Sequence, residues 1–134
     1  MRAARGQALI ELALCAPLVV LLALGTVASI QVAGARAGLE AATQAAAEAA
    51  ARAPNAETAV AAASDRFQRV VANYPVRSAT LVLSVGAFDR NGMVTASSSA
   101  SVDIAWAALL VLPSRLTLRS QVRLSLESWR SHIP

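Results

Sequence analysis

The sequence has little of what catalytic and metal sites are usually built from. Its 134 residues include one cysteine and one histidine. One cysteine allows no internal disulfide framework, and this pair excludes zinc sites made of His and Cys clusters. Lysine is absent, and all twelve basic residues are arginine. Aromatics make up 4%, too few for a platform that stacks single-stranded nucleic acid. Charged residues are 15% and hydrophobic residues 56%, where a soluble domain carries about a quarter charged. That shortage excludes a disordered, heavily solvated chain and directs attention to a membrane segment. The length fits one small domain.

The net charge is +4 and the pI about 11.0. The high pI reflects the high pKa of arginine. The arginines run from Arg2 to Arg130 without a cluster in sequence, whereas a nucleic-acid footprint is a patch or a stripe. No nucleic-acid partner is expected.

Leu12 to Ile30 is an uncharged run of 19 residues. About 20 apolar residues cross the hydrocarbon core as a helix. The run extends through Ala8, Leu9 and Ile10 on one side and Val32 to Ala35 on the other. Pro17, Gly25 and Gly34 lie within it, and spanning helices tolerate such residues. Arg2 and Arg5 precede the run with no acid beside them, so the positive-inside rule puts the N-terminus in the cytoplasm and the remainder outside. A cleaved signal peptide ending at Ala33-Gly34-Ala35 is one alternative, but its apolar region would run about 7–15 residues, shorter than this one. A lipoprotein cut before Cys15 is another. It needs a small residue where Leu14 stands, and most of the apolar run lies after Cys15.

Glu11 stands at the mouth of the run. A carboxylate in a membrane helix is by default functional and needs a partner. Cleavage between Gly6 and Gln7 would place a largely charged α-amino group four residues before Glu11. That amine could pair with Glu11 of its own helix or of a neighbour. Alternatively Glu11 sits among headgroups at a helix N-terminus, where the dipole favours an acid. Spacing alone leaves both open.

The stretch Arg5-Gly6-Gln7-Ala8-Leu9-Ile10-Glu11-Leu12-Ala13-Leu14, followed by Pro17-Leu18 and an aliphatic run to Gly25, resembles the N-terminus of TadE-like proteins. These are pilin-like components of the tight-adherence (Tad/Flp) pilus machinery. More broadly it resembles type IV prepilins, whose leader ends in Gly and whose mature chain carries Glu at its fifth position. The resemblance implies that a membrane-embedded prepilin peptidase cuts between Gly6 and Gln7 on the cytoplasmic side. It also implies that Glu11 docks the subunit into a growing assembly. Leu12 departs from the Phe that TadE-like chains often have after the Glu.

The outer part reads as α+β. Arg36 to Ala53 is alanine-rich and continues the first helix as a stalk, until Pro54-Asn55 breaks it. A second helix is expected over about 56–73, with Val60, Ala63, Phe67, Val70, Val71 and Tyr74 at helical spacing. From Arg77 the period becomes two. Leu81, Leu83 and Val85 alternate along a strand over about 77–88, and Asn91-Gly92 signals a hairpin. The return strand, about 93–104, puts Val94, Ala96, Ala100, Val102 and Ile104 on one face and Thr95, Ser97, Ser99, Ser101 and Asp103 on the other. A third strand over about 116–128 sets Leu116, Leu118, Val122, Leu124 and Leu126 against Thr117, Arg119, Gln121, Arg123 and Glu127. One apolar and one wet face mean an antiparallel sheet covered on one side, with the two helices as cover. The family resemblance implies the same long helix on a small sheet. Leu112-Pro113 and Leu116-Thr117-Leu118 also resemble the end of TadE-like chains. The apolar link Trp106 to Leu112 has two placements. It packs under the sheet, the first expectation, or it is exposed and binds a partner subunit or the membrane surface.

No catalytic constellation is visible. His132 is the only histidine, Ser98 and its neighbours are strand-face serines without a nearby base, and the acids Asp65, Asp89, Asp103 and Glu127 form no motif. Neither an enzyme nor a cofactor is expected. The expectation is a single-pass protein of the bacterial inner membrane. It has a cytoplasmic leader at 1–6, a transmembrane helix at 7–35 and an outer domain at 36–134. Its role would be that of a pseudopilin or minor pilin in a Tad/Flp-type pilus or related secretion system. Its partners would be the prepilin peptidase, other pilin-like subunits, the inner-membrane assembly platform and membrane lipid. The alternative is an unprocessed, signal-anchored protein with an outer binding domain.

Overall fold

The computed structural model describes residues 2–86 and 92–126. They form helix α1 (Arg2–Arg52), helix α2 (Ala56–Val71), strand β1 (Arg77–Val85), strand β2 (Met93–Asp103), a 3-10 turn (Ala105–Leu110) and strand β3 (Arg115–Ser125). This is the α+β arrangement expected, a long first helix, a second helix and a three-stranded antiparallel sheet. The chain divides into two compact units between Val32 and Ala33, inside α1.

The first unit is helix alone. Alanine, leucine and valine carry the helix past Pro17, which lies inside it and removes one backbone hydrogen bond. Two hydroxyls in the apolar stretch bond back to the preceding turn. Thr26 Oγ1 donates to Leu22 O at 2.9 Å and Ser29 Oγ to Gly25 O at 2.8 Å.

In the second unit α1 buries a stripe that is small apart from Leu39: Ala35, Gly38, Leu39, Ala42, Thr43, Ala46, Ala47 and Ala50. Their spacing of three and four is one face of a helix. At Gly38 the reason for glycine is direct, because an added Cβ would lie 2.7 Å from Tyr74 Cβ. The facing strand is small as well. β2 buries Val94, Ala96, Ser98, Ala100 and Val102. Phe67, Leu39 and Val94 are the largest apolar side chains fully buried among the described residues.

Asn55 starts α2. Its side chain accepts from Thr58 N at 2.9 Å, satisfying one of the unpaired first-turn donors. The buried face of α2 is Ala59, Ala63, Phe67 and Val71. Val60, expected on that face, is 50% exposed, and the helix ends at Val71 with its cap at Ala72. Alanines surround Val60 on both sides, so periodicity there had little contrast, and tertiary packing chose the neighbouring stripe.

The sheet order is β1-β2-β3, both pairs antiparallel. Leu83 pairs with Ala96, which pairs with Val122; Val85, Val94 and Leu124 form the next row. A register shift between Arg77 and Thr80 accompanies a left-handed φ of 51° at Ser78. On the open face Asp103 sits between Arg115 at 3.0 Å and Arg77 at 3.6 Å. The expected hairpin residue Asn91, Phe88, and the strand end at Glu127 and Ser128 lie outside the described residues.

Ser98 has the parity of the covered face and is 5% exposed, unlike its serine neighbours. Thr43 Oγ1 donates to Leu39 O at 2.6 Å. A hydroxyl has one proton, so in the Thr43–Ser98 hydrogen bond it is Ser98 that donates. Losing Thr43 strands the buried Ser98 hydroxyl, at about 1–3 kcal/mol, losing Ser98 forfeits one buried hydrogen bond, about 1 kcal/mol, and removing both is closer to neutral than the sum. Thr43→Val and Ser98→Ala should therefore each lower the unfolding free energy measured with denaturant. The double variant should lose clearly less than the two losses added. Simple additivity would mean that this buried bond contributes nothing specific.

Candidate functional site

The residues singled out at the N-terminus all lie on α1. Gly6 is open, with nothing within 4 Å of where a Cβ would stand. Gln7 and Glu11 are four apart on a continuous helix, hence one turn apart on the same face. Glu11 is exposed and has no ion-pair partner among the described residues. From Leu12 to Ala35 α1 carries no charge. The next charges, Arg36 and Glu40, pair with each other at 3.1 Å.

The surface of this stretch is greasy on every side. Leu9, Ile10, Leu12, Leu14, the run Leu18 to Leu22, Val27 and Ile30 are exposed. No residue of its apolar window is buried in the protein, which separates it from the core helix of a soluble domain. Thr26 and Ser29 do not spoil that surface, because their hydroxyl protons are spent on carbonyls of the same helix. Among the described residues α1 is the one helix long and apolar enough to cross a membrane.

The link after β2 is largely exposed, the first half of its second expected placement. Ala107 is buried, but Leu109 is 84% and Val111 94% exposed, and Leu110 and Leu112 are also exposed. The expectation that the whole link packs under the sheet is corrected. The 3-10 turn is held by its own backbone, with Leu112 N bonded to Ala107 O at 3.1 Å and Ile104 N to Ser114 O at 2.7 Å. It closes on itself before the side chains of 109–112 can fold inward. Trp106 is half-buried, and its indole N–H is enclosed without an acceptor among the described residues.

A groove in the second unit lies between α1 and β3, lined by Arg36, Glu40, Gln44, Arg119 and Gln121 among others. Gln44 is tied to Glu48 at 3.0 Å. Among the described residues no group of three or more His, Cys, Asp and Glu comes together.

Residues 6–52 match the family described as TadE-like protein. The match begins at Gly6 and includes Glu11, the apolar stretch and the small-residue stripe of α1. It stops before α2, so the likeness of Leu112–Leu118 to the end of such chains falls outside it. No curated protein and no solved structure matches the chain. The chain thus carries a TadE-like N-terminal segment, which points to a Tad-pilus-related protein, and its one apolar helix points to a single-pass membrane protein.

The membrane assignment has a direct check. Arginine at the centre of a spanning helix costs about 2.5–3.5 kcal/mol. Leu21→Arg with Leu22→Arg should release a large part of the chain from membranes washed with alkaline carbonate, whereas the unaltered chain stays in the pellet. Equal retention of both would mean that α1 is not held by lipid.

Proposed function

We propose that this chain is a pilin-like structural subunit, a pseudopilin or minor pilin, of a Tad/Flp-type pilus or related secretion system. It is processed between Gly6 and Gln7 and works by assembly, with no catalytic role of its own. The observation that carries the reading is the TadE-like match over 6–52 joined to one placement. Glu11 stands one helical turn beyond Gln7, at the mouth of an uncharged apolar stretch with no buried residue in its spanning window.

The chemistry follows from that placement. Cutting the Gly6–Gln7 bond releases a leader containing Arg2 and Arg5 and exposes a new amine. On the helix that amine faces the same side as Glu11. In a low-dielectric surrounding an amine and a carboxylate attract strongly, and each is unfavourable if left alone. A subunit docking beside another can satisfy Glu11 with its neighbour's amine, which gives the assembly a fixed axial register. The N-terminus lies in the cytoplasm of a bacterial inner membrane and the sheet domain outside, as Arg2 and Arg5 argue. Partners are the prepilin peptidase, other pilin-like subunits and the inner-membrane platform.

The mature N-terminus tests processing. Membrane-associated protein analysed by mass spectrometry should begin at Gln7. A branched side chain before the cut obstructs the close backbone approach that cleavage requires, so Gly6→Leu should accumulate the uncut form. A chain that begins at Met1 would support the unprocessed, signal-anchored alternative. Normal maturation of Gly6→Leu would put the junction elsewhere.

Glu11 tests assembly separately. Glu11→Leu removes a charge from a membrane helix, which favours insertion, and it lies downstream of the cut. The variant should insert and mature normally. Its crosslinking to neighbouring subunits and its complementation of a deletion strain should fall sharply, with Glu11→Asp between the two. Full crosslinking and complementation by Glu11→Leu would reduce Glu11 to a headgroup-level acid.

A further inference from the structure

The 3-10 turn breaks a local rule. Its C-cap residue, Val111, has φ 57° and ψ 26°, and its N–H bonds back to Ala107 O and Ala108 O. Helix ends of this left-handed form favour glycine, then asparagine. A β-branched residue there is a conformational outlier, and such strain is of order 1–3 kcal/mol. The same valine is 94% exposed, so no packing in the protein compensates it. Both folding and solubility would be better served by another residue.

The position of the turn within its unit indicates what covers it. Thr43 of α1 bonds to Ser98 in the middle of β2. Gly38, toward the start of this unit, meets Tyr74. Tyr74 lies just before Arg77, which pairs with Ser101 near the end of β2. α1 therefore runs antiparallel to β2 here. The start of the unit, at Ala33, and the turn after β2 lie at the same end of the unit.

The composition agrees. From Ile104 to Pro113 the chain has no charge. Leu109, Leu110, Val111 and Leu112 are exposed together, and Trp106, in the same 3-10 turn, is half-buried. At the foot of the turn Arg77 and Arg115 share the single acid Asp103, which leaves local positive charge. Apolar tips flanked by arginine suit the boundary between acyl chains and anionic headgroups. We propose that the Leu109–Leu112 tip inserts into the surface of the membrane that α1 crosses, as a second, shallow contact. Arg77 and Arg115 lie against lipid phosphates. The tip holds the sheet domain close to the bilayer until the subunit leaves it.

This rests on residues 12–30 crossing a membrane, and the test reads that separately. In the full chain with Cys15→Ser, single cysteines are placed by Leu21→Cys, Leu109→Cys, Val111→Cys and Ser64→Cys, the last on the exposed face of α2. Each is labelled with an environment-sensitive fluorophore. The proteins are reconstituted in vesicles of phosphatidylethanolamine and phosphatidylglycerol, with or without lipids brominated near the headgroup or deep in the acyl chain. The Leu21 probe should be quenched by deep bromines. The Leu109 and Val111 probes should be quenched by shallow bromines and shielded from aqueous iodide. The Ser64 probe should respond to iodide alone. Val111→Asn suits the left-handed backbone, so it keeps the turn while removing apolar surface. It should reduce shallow quenching at the Leu109 probe severalfold.

Iodide quenching at Leu109 and Val111 equal to that at Ser64, with Leu21 still quenched by lipid, would overturn the proposal and leave the span intact. Shielding from both quenchers that grows with protein density would assign the tip to a second copy and overturn it too. A Leu21 probe untouched by bromines would remove the span and the proposal together.

Discussion

A helix in hydrocarbon must satisfy its own polar groups, because lipid offers none. That constraint shapes the first part of α1 down to single atoms. Its surface is leucine, valine, isoleucine and alanine on every side, and its two mid-stretch hydroxyls, Thr26 and Ser29, donate to carbonyls one turn back. The same helix then enters the second unit and must meet a different requirement. Beyond Ala33 only one face is buried, and that face is mostly alanine, with one glycine, one threonine and one leucine. Arg36, Glu40, Gln44 and Glu48 take the wet side, where they pair along the helix. Such exposed pairs contribute at most about 1 kcal/mol, so the small-residue stripe, and not the charges, sets where α1 packs.

Small residues on both partners give close packing with little bulk to specify position. Alanine on alanine slides more easily than leucine into a hole. Against that background the buried Thr43–Ser98 hydrogen bond fixes register, since sliding the helix would leave the buried Ser98 hydroxyl without its acceptor. Tyr74 against Gly38 supplies a second stop at one end, and Phe67 from α2 fills the middle. The sheet contributes a covered face of Val94, Ala96, Ala100 and Val102 and leaves its hydroxyls and arginines in water.

Much of this was legible because the relevant signals are local. The uncharged run, the Pro54-Asn55 break and the period-two strands each show within a few residues. The Gly6–Glu11 spacing is equally local, and the TadE-like match covers it. What escaped was non-local or low in contrast. Val60 was drawn to the buried face of α2 because it is the largest side chain among alanines. The true stripe, Ala59, Ala63, Phe67 and Val71, is as regular but begins with two small residues. Ser98 sits inside a serine-rich run, and its parity alone marked it. Its partner lies 55 residues away, beyond any window of periodicity. The link at 106–112 was ambiguous because composition gives hydrophobicity and not placement.

That link also shows how local consistency and function separate. Through α1, α2 and the strands, propensity, pattern and capping agree, as they do in sequences that specify one structure. Asn55 is a favoured N-cap at the start of α2, and β-branched residues occupy the strands. At the left-handed end of the 3-10 turn the agreement fails twice in one residue: Val111 is conformationally wrong and fully wet. Violations of this kind concentrate where a protein contacts something else. In a chain whose first helix already has lipid as its solvent, the economical interpretation is that the same solvent reaches the turn. The strain at Val111 is then offset only when the tip is in lipid. A subunit that is drawn out of the membrane during assembly would lose that compensation along with the lipid around α1, so both contacts oppose extraction in the same direction. Under the proposed assembly, docking of Glu11 onto a neighbour would have to outweigh their sum.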